Sequence, residues 1–117
     1  MFCINFNGVP IGHSNLENGD PPMGCAEGVF KPNENFPDFA AGAQKAHETD
    51  PAINRWTGLN LTTADGVSVD CTDVVLMQVN FGDETEYHVD AIGIGYPLYE
   101  VLFPGRYAAY EDGISRK

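Results

Sequence analysis

Two carboxylates and an imidazole fall at every second position of Glu86-Tyr87-His88-Val89-Asp90. Residues two apart on a β-strand share a face, so Glu86, His88 and Asp90 stand together on an extended chain. Such a set can hold a divalent cation or move a proton. It can also be the solvated face of a strand whose Tyr87 and Val89 point inward. Asp83-Glu84 precedes the set, and Asp70-x-x-Asp73 lies upstream. Closely spaced acids near a glycine suit calcium, but the EF-hand pattern is absent. The candidate binding residues are therefore Asp70, Asp73, Asp83, Glu84, Glu86, His88 and Asp90.

Cys25 lies between Gly24 and Ala26, a small-residue setting that can expose a nucleophile. A reactive thiolate also needs a base and an electropositive pocket. This chain is acidic nearly everywhere, so the expected role of Cys25 is a strand residue, and Cys3 and Cys71 read the same way. His13 ends an apolar strand face. His47 closes a helical stripe near a helix C-terminus, where the dipole favours imidazolium. Gly93-x-Gly95 lacks the strand–turn–helix setting of a nucleotide loop. No serine nucleophile elbow or Walker motif is present, and no catalytic set or cofactor is indicated.

Charge bounds the partners. Seventeen Asp and Glu face six Lys and Arg, a formal net charge of -11 on 117 residues. Three of the six bases, Arg106, Arg116 and Lys117, lie at the C-terminal end, so the excess concentrates in residues 1–105. Such a chain repels nucleic-acid phosphate and anionic membranes and attracts something basic. Apolar residues make up 43%, and seven Phe, five Tyr and Trp56 can build a core. The acidity is thus not that of a disordered chain. No segment has the roughly 18–20 apolar residues of a membrane span. Met1 runs into Phe2-Cys3-Ile4-Asn5-Phe6 without the basic start of a signal peptide. Three widely spaced cysteines suggest neither a disulfide framework nor a zinc knuckle. A cytoplasmic location is expected.

These residues need elements to position them. Asn7-Gly8 predicts a type I′ hairpin over residues 2–13, pairing Phe6 with Val9, Ile4 with Ile11 and Phe2 with His13. Pro10 places that strand at an edge. A strand follows from Gly24 to Lys31. A helix over 35–48 is capped by Asn33 or Asn35, with Pro37 in its first turn and Phe36, Phe39, Ala40, Ala43, Ala46 and His47 on one stripe. Residues 58–94 read as a three-strand meander. Its first turn, Ala64-Asp65-Gly66, takes a three-residue form that pairs Leu61 with Val69 and Thr63 with Val67 and keeps the apolar face intact. Val74-Val75-Leu76-Met77 reads as a central strand. A turn at 82–85 then sets Phe81, Val79 and Met77 opposite Tyr87, Val89 and Ala91. Pro97 opens a short helix or turn with Leu98, Val101 and Leu102 on one side.

The fold expected is α+β: an antiparallel sheet or partly rolled barrel of about six short strands, one main helix packed on it, and a short C-terminal helix or turn. Residues 1–105 form one domain and 106–117 a tail, partly docked or frayed. The functional expectation is a small acidic binding module for a basic protein, with no nucleic-acid or membrane partner. One alternative is a metal-assisted or Cys/His-dependent enzyme using Glu86, His88 and Asp90, or Cys25. The other is a ligand carrier with a cavity between Phe2, Ile4, Phe6 and the Phe36–Phe39 helix face. Tyr96, Tyr99, Tyr107 and Tyr110 are candidate anchors on a binding face. What separates these readings is whether the acids gather on one surface.

Overall fold

The computed structural model describes residues 1–20, 24–43, 53–95 and 98–104. Among the described residues, nine strands form two antiparallel sheets. The first sheet holds β1 (Phe2–Phe6), β2 (Val9–Ser14), β5 (Lys31–Pro32) and β7 (Asn60–Thr63), in the order β5-β2-β1-β7. The second holds β3 (Asn18–Asp20), β4 (Cys25–Val29), β6 (Ile53–Trp56), β8 (Asp73–Phe81) and β9 (Glu84–Ile92), in the order β3-β4-β9-β8-β6. Two short helices, α1 (Phe36–Gly42) and α2 (Leu98–Leu102), complete the α+β fold, which does not close into a barrel. No described helix is long and apolar enough to cross a membrane.

Side chains from both sheets meet in one core: Phe2, Ile4, Ile11 and Leu61 from the first, Ala26, Trp56, Val74, Leu76, Val89 and Ala91 from the second. Each helix joins the sheets at one end of β1. Phe39 of α1 packs on Phe6 at 5.1 Å and on Trp56 at 5.5 Å between ring centroids. Beyond α2, Phe103 packs on Phe2 at 5.4 Å, while the Tyr99 hydroxyl donates to the Cys25 carbonyl at 2.9 Å. The chain passes between sheets at Leu16 and Phe30, both buried. Leu16 takes the left-handed conformation, φ 47°, and its N–H donates to Ser14 Oγ. Phe30 lies against Gly12, where any Cβ would strike its ring and the Lys31 carbonyl.

The first hairpin turns at Asn7-Gly8, with φ 50° and 82°, as a type I′ turn requires. Phe6 pairs with Val9 as expected, but the register then slips. Asn5 faces Pro10, Ile4 faces Gly12, Cys3 faces His13 and Phe2 faces Ser14, leaving Ile11 as the extra residue of a bulge. Pro10 has no N–H to give the ladder, so the break falls beside it. The turn at 64–66 keeps the expected register: Thr63 N donates to the Val67 carbonyl, Val69 N to that of Leu61, and Gly66 has φ 86°. The strand it closes does not continue into a meander, because β7 pairs with β1 in the other sheet. Helix α1 ends at Gly42, with Ala43 already extended. Its expected stripe holds at Phe36 and Phe39; Ala46 and His47 lie outside the described residues. On α2 Leu98 and Leu102 pack against the core as expected and Val101 is exposed, while the buried residues here are Tyr99 and, just past the helix, Phe103.

Candidate functional site: the outer face of the five-stranded sheet

The register of β8 against β9 decides what this face carries. Phe81 pairs with Glu84, Val79 with Glu86, Met77 with His88, Val75 with Asp90 and Asp73 with Ile92. The expected pairing of Phe81, Val79 and Met77 with Tyr87, Val89 and Ala91 is therefore wrong by three positions. The loop is only Gly82-Asp83, and Gly82 has φ 61°. Glycine at the first central position suits a type II′ turn, which closes the hairpin tightly. The shift moves three large apolar side chains off the core face and onto the face of the acids.

Directly paired residues of an antiparallel sheet share a side. One row across this face is Val75, Asp90, Glu27 and Asn18 on β8, β9, β4 and β3. The next is Arg55, Met77, His88 and Val29 on β6, β8, β9 and β4. Beyond it lie Ile53, Val79 and Glu86, then Phe81 and Glu84. Phe81 is 58% exposed, Val29 49% and Ile92 38%. The opposite side of the same hairpin turns polar toward its tip: Gln78 accepts a hydrogen bond from Asn54 Nδ2 at 3.0 Å, and Asn80 accepts one from the Thr85 hydroxyl at 3.0 Å. Ordinary amphipathic patterning is thus reversed in the distal half of β8.

Of the seven candidate residues, Glu84, Glu86, His88 and Asp90 gather on this face through β9. Glu86 and His88 touch at 3.2 Å between Oε2 and Nε2. Asp73 shares the face at the start of β8, but its Oδ1 accepts hydrogen bonds from the Gly58 and Val74 N–H groups, a backbone-holding role. Asp83 is in the turn, and Asp70 lies in the connector ahead of β8, where it lines a hollow with Cys71 and Asp73. Glu27, absent from the expected set, sits opposite Asp90. Burial pushes the Asp90 carboxyl above its ordinary range. A hydrogen bond with Glu27 and repulsion from that second carboxylate add to the rise, while His88 and Arg55 oppose it. A hollow of about 380 Å³ lies here, lined by Asn18, Glu27, Val29, Met77, His88 and Asp90. A second of about 380 Å³ adjoins the same two acids beside Cys25 and Ile92.

Other candidate chemistry finds less support. No group of three His, Cys, Asp or Glu side chains converges in a metal-holding arrangement among the described residues. The Cys71 thiol is pushed up by burial and by the nearby Asp70 and Asp73 carboxylates, the opposite of an activated nucleophile. The interior that a ligand carrier would keep open is occupied by rings in contact, Phe36 lying 6.0 Å from Trp56 and 5.1 Å from Tyr87. Tyr99 is a core residue rather than a surface anchor; Tyr96, Tyr107 and Tyr110 lie outside the described residues. Comparison with protein-family models, curated proteins and solved structures found no match.

Proposed function

We propose that this chain is a non-enzymatic binding module that docks a basic partner on the outer face of its five-stranded sheet. The observation that carries the reading is the reversal along β8. Met77, Val79 and Phe81 share the face of Glu27, Glu84, Glu86 and Asp90, the first two half-buried and Phe81 exposed, while Gln78 and Asn80 lie on the opposite face. An apolar centre with a charged margin is the usual anatomy of a protein interface. Solubility alone accounts for surface acids but not for an exposed phenylalanine among them. The partner is a different, cationic chain, because two copies set face to face would bring like charges together.

Amide chemical shifts during titration with a short peptide of alternating arginine and leucine test this, with a glutamate–leucine peptide as control. The shifts should concentrate on β4, β8 and β9 and shrink with salt. Shifts spread equally to the surroundings of Asp38 and Asp65 would reduce the acidity to a solubility device and overturn the proposal.

A further inference from the structure

Resting on that reading, we infer that the partner inserts an arginine side chain into the hollow between β4, β8 and β9, with its guanidinium at Glu27 and Asp90. Of the other described acids of the face, two are already engaged and one is exposed at the hairpin end. Glu86 is occupied with His88 at 3.2 Å, and Asp73 holds two backbone N–H groups. Glu84 is exposed at the hairpin end. Among the described side chains of this face, Glu27 and Asp90 are the two carboxyl groups that meet across neighbouring strands, and burial together with the Glu27 carboxyl raises the Asp90 carboxyl above its ordinary range. A cation between them would relieve that repulsion.

The walls match the rest of the side chain. Val29 and Met77 flank the acids in the row next to theirs, and apolar walls suit the methylene stem of arginine. Asn18 adds a polar group on the far side. A planar guanidinium presents N–H donors in a fixed fork that can pair with both carboxylates in defined geometry, whereas a compact ammonium acts as a hydrated point charge without that fork. The groups facing Asp90 are Glu27 from β4, His88 on its own strand and Arg55 from β6. A guanidinium between the two groups favours the ionised form of Asp90, so wherever the free chain holds Asp90 protonated a proton leaves as the arginine enters. Affinity therefore rises with pH through the range in which Asp90 ionises.

Titration calorimetry of the arginine–leucine peptide, in two buffers of different ionisation enthalpy, counts that proton. The pH series uses His88→Gln, so that the imidazole does not contribute. The expected result is net proton release and stronger binding at pH 7 than at pH 5. Asp90→Asn and Glu27→Gln should each weaken binding at pH 7 by about tenfold, the scale of a lost charge-assisted pair. Both should abolish proton release. Asp83→Asn removes the same charge at the hairpin turn and should change affinity less than about threefold. Replacing arginine by citrulline should cost as much as Asp90→Asn. Equal losses at Asp83 and Asp90, or proton release that survives Asp90→Asn and Glu27→Gln, overturns the arginine site while the docking face stands. Absence of peptide-induced shifts on β4, β8 and β9 overturns both.

Discussion

Gly12→Ala tests the crossing that holds the two sheets together, and the outcome is set by two opposed effects. The added methyl would overlap Cζ and Cε1 of Phe30 and the carbonyl oxygen of Lys31. Phe30 is buried against Phe36, 5.7 Å away, and Tyr87, 6.2 Å away, so its ring has little room to yield. Lys31 is part of β5, which among the described residues pairs through Gly12 with Pro32 and His13 with Lys31. Overfilling a packed site costs about 1–3 kcal/mol. Against that, alanine restricts the unfolded chain and gains about 0.5–1 kcal/mol. The net expectation is a loss of about 1–2 kcal/mol, lowering the urea midpoint by roughly 0.5–1 M. Gly42→Ala is the control, since a methyl there meets nothing within 4 Å and its site is helical. It should stabilise by about 0.5–1 kcal/mol. In a Phe30→Leu background the cost of Gly12→Ala should shrink by at least about 0.5 kcal/mol, because the ring atoms it meets are gone. The reasoning fails if Gly12→Ala stabilises like the control, or if its cost is unchanged beside leucine.

Three further outcomes are expected. Asp90 has a folded-state pKa above its unfolded value, so its contribution to stability is full below the unfolded pKa and is lost as pH rises through the folded one. Asp90→Asn should therefore gain stability relative to wild type as pH rises, by less than about 1 kcal/mol because the group is only half-buried; urea midpoints at pH 4, 5.5 and 7 measure it, and a gap that narrows with pH refutes it. Tyr99→Phe removes the hydrogen bond to the Cys25 carbonyl and should cost about 1 kcal/mol, or about 4 °C in thermal midpoint. Cys71 should react with iodoacetamide at pH 8 more slowly in the folded chain than in urea, and Asp70→Asn should recover only part of the difference, because burial is the larger cause.

What was legible in the sequence was local. Asn7-Gly8 and Ala64-Asp65-Gly66 set their turns because left-handed positions demand particular residues, and both turns formed as read. The alternation in β9 put Glu86, His88 and Asp90 on one face without knowledge of any neighbour. Pairings between distant segments were not legible. Nothing in residues 58–63 announces that β7 belongs beside β1, so a continuous meander looked simpler. Glu27 was missed for the same reason: only the pairing of β4 with β9 sets it against Asp90. The hairpin register failed differently. Hydrophobicity alone keeps Phe81, Val79 and Met77 on the core side, but Gly82 favours a tighter loop, and the tighter loop puts them on the face of the acids.

The alternation of the chain between its two sheets also governs the order in which the protein can be made. Along the sequence the strands visit the first sheet, then the second, and return twice more before β8 and β9 finish the second sheet. The first sheet lacks its β7 edge until residue 63 has left the ribosome. In the second, β4 and β6 wait for the hairpin of residues 73–92 that joins them. Early in synthesis the β1–β2 and β3–β4 pairs have their partners at hand; the pairings of β5 with β2, β7 with β1, β4 with β9 and β6 with β8 await a distant segment, which makes for slow folding. The acidic face is therefore absent from any nascent or truncated chain that stops short of β9. A partner that reads that face would ignore copies in which β9 has not yet joined β4 and β8.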